Sequence, residues 1–350
     1  MEPDLVNSWP MVLQIFAFVG ALILGVFCLV KFCDIFVDGA SSLAKKAHIP
    51  PLIIGLTVVS IGTSCPELAV SVSDSISCLN NNTTAEIAIG NVLGSNICNL
   101  LIVLGFSCVF VPMIVKKTVI KRDFPILLLV TGLLIIFGIF FGIKNLTGDY
   151  AIVRWEGIIF VVIAILYVMY LIFDAKRHPD QEIEESEIKD MPGLKIFLFI
   201  VLGAAGVVLG GILVVFGAKG IAYRSASAMN LDENLVKSLV GLTIVAVGTS
   251  LPELVKSIVA AKKGQNEMAL GNVIGSNIFN IVLILGISST INPLTTGSAV
   301  IIDLIAVGVA TITVFIFALF GKLTRKHGII LLLMYVAYVT YLIIRTIAGA

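Results

Sequence analysis

Of 350 residues, 58% are hydrophobic and 13% charged, and the mean hydropathy is +1.09; a soluble domain carries roughly 25% charged residues, so this is the composition of a membrane protein. The net charge of +1, with Lys and Arg confined to short stretches between apolar runs, offers no surface for nucleic acid or another polyanion. Three scattered histidines and six cysteines without a Cys-x-x-Cys pair argue against a zinc or iron-sulfur centre. Cys28, Cys33, Cys65, Cys78, Cys98 and Cys108, mostly inside apolar segments, are expected to be free thiols.

Apolar windows able to cross roughly 30 Å of hydrocarbon follow one another at 11–36, 51–77, 85–112, 123–143, 152–173, 195–222, 235–261, 267–291, 298–320 and 328–347. The first lacks a basic start and is followed by many more, so it reads as a retained helix. Lys45 and Lys46, then Lys116, Lys117, Lys121 and Arg122, then the stretch 176–195, then Lys262 and Lys263, then Lys322, Arg325 and Lys326 fill every second connection. The positive-inside rule puts these connections in the cytoplasm and both termini outside the cell. Asn81-Asn82-Thr83 and Asn145-Leu146-Thr147 match a glycosylation sequon that is common by chance.

Between the fifth and sixth windows lie Asp180, Glu182, Glu184, Glu185, Glu187 and Asp190, a charge run that reads as a solvated linker. The expected division is a five-helix unit at 1–173, an acidic cytoplasmic linker at 174–194 and a second five-helix unit at 195–350. So short a linker, without a regulatory domain, suggests a multi-pass protein of a prokaryotic plasma membrane.

The two units repeat each other. Gly55-Leu56-Thr57-Val58-Val59-Ser60-Ile61-Gly62-Thr63-Ser64-Cys65-Pro66-Glu67-Leu68 returns as Gly241-Leu242-Thr243-Ile244-Val245-Ala246-Val247-Gly248-Thr249-Ser250-Leu251-Pro252-Glu253-Leu254, ten of the fourteen positions being identical. Gly90-Asn91-Val92-Leu93-Gly94-Ser95-Asn96-Ile97-Cys98-Asn99 returns as Gly271-Asn272-Val273-Ile274-Gly275-Ser276-Asn277-Ile278-Phe279-Asn280. An odd number of spans per unit makes the repeats inverted in the bilayer, an arrangement that in transporters places the binding site at the midplane where the halves meet. The expected fold class is therefore all-α membrane, with ten transmembrane helices in two inverted five-helix repeats and broken helices at the core.

Glu67 and Glu253 are carboxylates predicted at membrane depth, where an ionisable group costs at least about 2.5–3.5 kcal/mol and is a functional candidate. Each follows a Pro, which removes a donor from the helix ladder and frees the carbonyl four residues earlier, that of Gly62 or Gly248. Thr63 and Ser64, and likewise Thr249 and Ser250, share a helical face with the Glu that follows them. Carboxylates, hydroxyls and carbonyls so gathered suit a hard cation such as Ca2+, which takes six to eight oxygen ligands at about 2.3–2.6 Å. Ser95, Asn99, Ser276 and Asn280 are read as further members of the site, and Asn91, Asn96, Asn272 and Asn277 as interhelical hydrogen bonders. Asp38, Asp74, Lys219 and Asp303 are read as interfacial or partnered structural charges, and Glu86 and Glu267 as helix-opening acids.

These motifs, Gly-Thr-Ser-Cys-Pro-Glu at 62–67, Gly-Thr-Ser-Leu-Pro-Glu at 248–253 and the two Gly-Asn-x-x-Gly-Ser-Asn-x-x-Asn blocks, resemble the alpha-repeats of the cation/Ca2+ exchanger superfamily, in particular a prokaryotic Na+/Ca2+ exchanger. The resemblance implies secondary-active exchange of Ca2+ for Na+ by alternating access, with adjacent cation sites at the repeat interface. It assigns metal ligation to Glu67, Glu253, Thr63, Ser64, Thr249, Ser250, Ser95, Asn99, Ser276 and Asn280, and to the backbone carbonyls of Ser60 and Ala246. Many Na+-coupled members have Asp where this chain has Asn280, which bears on stoichiometry and on K+ co-transport. Proton-coupled branches carry Gly-Asn-x-x-Glu where this chain has Gly-Thr-Ser-x-Pro-Glu, so Na+ is favoured over the alternative of H+/Ca2+ exchange. A passive channel and an intramembrane enzyme are the remaining rivals; the lack of a nucleophile-base or metal constellation argues against an enzyme. Ca2+ and Na+ are expected as transported ions, with no cofactor and no obligate protein partner.

Overall fold

The computed structural model describes residues 9–46, 64–81, 83, 85–117, 119–141, 151–177, 190–229, 233–262, 266–295 and 298–348. Helix α1 (Met11–Lys46) runs on past the predicted end near 36, so that Lys45 and Lys46 form its last turn, where cations complement the helix dipole. After α2 (Cys65–Asn80), α3 (Glu86–Cys98) passes through a π-helical stretch at Asn99–Val103 into α4 (Leu104–Phe110). Strand β1 (Met113–Ile114) precedes a π turn at Val119–Asp123, helix α5 (Phe124–Ile136) and a further π stretch at Phe137–Phe141; β2 (Ala151–Ile152) then leads into α6 (Arg154–Arg177).

The second half opens with α7 (Gly193–Met229). There follow α8 (Glu233–Val240), a π stretch at Gly241–Val245, α9 (Ala246–Thr249), α10 (Leu251–Lys262) and α11 (Asn266–Phe279), which runs through Asn280–Leu285 in π geometry into α12 (Gly286–Ile291). The chain ends with β3 (Leu294–Thr295), α13 (Ser298–Leu319), β4 (Lys322–Leu323) and α14 (Arg325–Ala348).

Among the described residues, eight helical rods are long and apolar enough to cross a membrane. The other two predicted windows are those holding the motif prolines: 51–77 is described only from Ser64 onward, and 235–261 is divided into α8, the π stretch, α9 and α10. The protein is thus a multi-pass helical membrane protein. Its centre is formed by the rods 86–110 and 269–291, whose most apolar stretches are 83% and 72% buried, against 22% for α14. The outer helices turn large apolar side chains such as Phe16, Phe27, Leu333 and Ile344 outward, as lipid contact requires.

Helices α1 and α7 lie against one another along much of their length. Their backbones meet at Gly25 and Gly210, where a Cβ on Gly25 would stand 2.9 Å from the Gly210 carbonyl oxygen; such approach is how helices associate where apolar burial gives no drive. Phe18 and Phe216 pack edge to face across the same seam, centroids 5.3 Å apart.

Two short antiparallel clips join the halves, β1 with β4 (Met113 opposite Leu323) and β2 with β3 (Ile152 opposite Leu294). Three groups of interior charges are paired among the described residues. Arg345 Nη1 donates to both oxygens of Asp303 at 3.1 Å, and Tyr338 donates to the same carboxylate at 3.0 Å. Asp74 pairs with Lys219 at 2.9 Å, and Arg122 joins Asp123 and Asp174, each at 2.7 Å. Asp74, Lys219 and Asp303 are therefore partnered, as expected. Cys28, Cys78, Cys98 and Cys108 carry thiols.

Candidate functional site

Each motif glutamate opens a helix directly after a break. Ser64 (φ −90°, ψ 7°) and Ser250 (φ −83°, ψ 2°) adopt the same bridge conformation, two residues ahead of Pro66 and Pro252. The Pro lacks the N–H that would continue the ladder, and the helix restarts from the serine: Leu68 N–H donates to the Ser64 carbonyl at 3.0 Å and Leu254 N–H to that of Ser250 at 3.1 Å.

A first-turn Glu three residues after a Ser has an ordinary explanation, the reciprocal capping box. The first copy does not form one. Ser64 makes no side-chain cap bond, and Glu67 is wholly buried. Glu67 instead accepts from the Ser250 hydroxyl of the other motif copy at 3.5 Å. The Glu253 carboxyl, also wholly buried, lies within electrostatic reach of Glu67, and the Cys98 thiol interacts with Ser250 and lies within electrostatic reach of both carboxylates.

Helix α3 supplies the wall between the two copies. Asn91 donates to the Glu67 carbonyl at 3.1 Å and to the Ser71 hydroxyl at 3.0 Å, and its own oxygen accepts from Thr249 at 3.3 Å. One turn on, the Ser95 hydroxyl stands 3.4 Å from that of Thr249. The Ala246 carbonyl accepts from Ser250 N–H at 3.0 Å and from the Thr249 hydroxyl at 3.2 Å. Asn280 donates to Asn96 at 3.2 Å, joining the two central rods.

Both π-helical stretches of those rods begin at matched motif positions, Asn99 and Asn280. The π turn widens the helix where a residue must be re-aimed and often accompanies function. Packing is reciprocal: Asn99–Val103 lies against α10, which bears Glu253, and Asn280–Leu285 against α2, which bears Glu67. Among the described residues, Glu67 Oε2, Ser64 Oγ, the Asn99 amide, Ser276 Oγ and Asn280 Oδ1 are buried without a hydrogen-bond partner. Each such atom costs about 1–3 kcal/mol, and all five residues belong to the repeated motifs. Oxygens of this kind are what hard cations take.

Of the twelve predicted ligands, Thr63 and Ser60 lie outside the described residues, as do Gly62 and most of the acidic linker. Glu67, Ser95, Thr249, Ser250 and Ala246 form one hydrogen-bonded group, with Glu253 in electrostatic reach of Glu67; Asn99, Ser276, Asn280 and Ser64 are buried. Asn91 and Asn96 bond between helices as expected and Asn272 reaches Ser257 on α10, whereas Asn277 turns back to the Val273 carbonyl of its own helix. The sequence reading missed Cys98, although its place directly before Asn99 in the motif was the available signal.

A bundle of membrane-spanning helices enclosing matched carboxylates and polar oxygens defines a polytopic membrane protein with an interior polar site. Residues 17–173 and 196–344 match the family described as sodium/calcium exchanger protein, and the chain belongs to that family. It is 36% identical over 333 residues to the putative antiporter CaxA of Alkalimonas amylolytica, covering 91% of this chain and 96% of that one. It is 32% identical over 358 residues to the sodium/calcium exchanger MaX1 of Methanosarcina acetivorans, covering 92% and 97%. The solved sodium/calcium exchanger from Methanococcus jannaschii shares the fold with a TM-score of 0.58 at 28% identity, over 93% of this chain and 98% of that one.

Proposed function

We propose that the chain is a secondary-active antiporter that exchanges Ca2+ for Na+ by alternating access. The observation that carries this reading is the meeting of Glu67 and the Ser250 hydroxyl from the two motif copies, with Glu253 in electrostatic reach, in the interior of a membrane-spanning bundle. Glu67, Glu253, Thr63, Ser64, Thr249, Ser250, Ser95, Asn99, Ser276 and Asn280, with the Ser60 and Ala246 carbonyls, are the proposed ligands. Two carboxylates share one divalent charge, so cation occupancy offsets their burial and loaded states switch more readily than empty ones. MaX1 and the Methanococcus jannaschii protein, both named sodium/calcium exchangers, support Na+ as the counter-ion.

The proposed architecture is ten spans in two inverted units, 1–173 and 195–350, joined by a cytoplasmic linker at 174–194, with both termini outside. The strand clips support this arrangement: β1–β4 ties the two basic connections at 116–122 and 322–326 to one face, and β2–β3 ties two sparsely basic connections to another. Switching is proposed to proceed by rearrangement of α1 and α7 across the core, since those helices supply none of the proposed ligands.

The test uses purified protein in Na+-loaded vesicles. An outward Na+ gradient is expected to raise 45Ca2+ uptake by about tenfold or more over K+-loaded vesicles. Uptake that follows an imposed pH gradient without Na+ would transfer the assignment to H+/Ca2+ exchange, and uptake indifferent to every counter-ion would make the protein a channel.

A further inference from the structure

Resting on that reading, we infer that Asp74 is a positioning residue for transport: with Lys219 it forms a charged joint that transmits the position of α7 to the helices bearing Glu67 and Ser95. Three elements converge on its buried carboxylate. It stands on α2, two turns beyond Glu67; one oxygen accepts Ala88 N–H in the first turn of α3 at 2.9 Å, and the other pairs with the Lys219 ammonium of α7 at 2.9 Å. Lys219 also donates to Ser77 at 3.2 Å and to the Cys78 sulfur at 3.4 Å, so the ammonium is held by one face of α2.

The joint fixes the register of α2 on α3. Ala88 lies three residues before Asn91, the side chain that grips the Glu67 carbonyl and Thr249. A shift of α3 at Ala88 therefore moves Asn91 and Ser95 against the two motif copies. On its other side the joint reaches the α1–α7 pair, which contributes no proposed ligand yet covers the site. Val26 of α1 approaches Gly248, and Gly211 of α7 packs on the Ala69 backbone of α2, two residues after Glu67.

A buried ion pair contributes little to stability beyond what apolar packing would supply, and its best-attested use is to fix registry. The acid itself is not repeated in the second motif copy. Seven residues after Glu253 stands Ala260, where Asp74 stands after Glu67. The joint lies about 9 Å short of the end of α2 at Asn80, on the face where Asn292 bonds the Thr83 carbonyl.

The experiment compares the native protein with K219Q, K219R and D74N/K219Q in Na+-loaded vesicles, reading maximal 45Ca2+ uptake and Ca2+ half-saturation separately. Expected are a maximal rate lowered about fivefold or more by K219Q and by the neutral double variant, a half-saturation within about twofold of native, and near-native behaviour of K219R. The double variant leaves no lone buried charge, so it decides the matter should K219Q fail to fold. Native maximal rates in the neutral pair, or a half-saturation that moves in step with the rate, would overturn the joint. A native protein that exchanges nothing counts against the proposed function alone. Deuterium uptake across residues 85–92 then decides the joint: K219Q is expected to raise it and K219R to leave it unchanged, and equal uptake in all variants would overturn it.

Discussion

Glu67→Gln and Glu253→Gln are each expected to lower Na+-driven 45Ca2+ uptake by about 100-fold or more, with the protein still assembled and monodisperse in detergent. Gln keeps the volume and one carbonyl oxygen of the side chain it replaces, so the Ser250 hydroxyl can still donate at residue 67 and the packing around both positions is preserved. What is lost is half of the charge assigned to balancing a divalent ion, in a setting where each carboxylate is wholly buried and water cannot substitute for it. The loss falls on cation affinity as well as on rate, which separates these residues from Asp74. Uptake at the native level in either variant would remove that glutamate from the site.

Gly94→Ala is expected to lower exchange by about tenfold or more, while Gly20→Ala, the control, stays within about twofold of native. A Cβ on Gly94 would stand 2.5 Å from the Leu242 carbonyl oxygen, 2.8 Å from Leu242 Cα and 2.7 Å from Ala246 Cβ. Two of those three atoms are backbone and cannot swing aside, so α3 must move off the wall formed by 241–246. Overpacking of this order costs about 1–3 kcal/mol, and the displaced residue next in the chain is Ser95, 3.4 Å from Thr249. Gly20 is exposed on α1 and a Cβ there meets nothing within 4 Å. Melting temperature in detergent, read beside uptake, should fall for G94A and not for G20A. Equal behaviour of the two would mean that α3 does not need this approach to hold the site.

The paired motifs were legible because their identity is concentrated in polar residues, where packing alone would have favoured apolar ones. Pro66 and Pro252 announced the helix breaks, which in the structure fall at Ser64 and Ser250, and the apolar windows placed the membrane-crossing rods to within a few residues at most ends. Other features carried no local signal. A π turn at Asn99 or Asn280 depends on what the widened helix meets, α10 or α2, and nothing in Asn-Leu-Leu-Ile-Val distinguishes it from ordinary α-helix. The β clips are two residues each, too short to show alternation. Asp74 and Lys219 lie far apart in the chain, and nothing local to Asp74 says which base it meets. Asn277 is read with Asn91, Asn96 and Asn272 as an interhelical hydrogen bonder, and its return to Val273 shows that matched positions in a repeat need not share partners.

The position of a bound cation tests the exchange site most directly. Crystals grown with Ca2+, or with Sr2+ for its anomalous signal, are predicted to show an ion coordinated by oxygens of both Glu67 and Glu253, for Ca2+ at about 2.3–2.6 Å, with hydroxyl or amide oxygens of the matched motifs completing the shell. An ion bound elsewhere, while those two carboxylates contact protein groups alone, would contradict it.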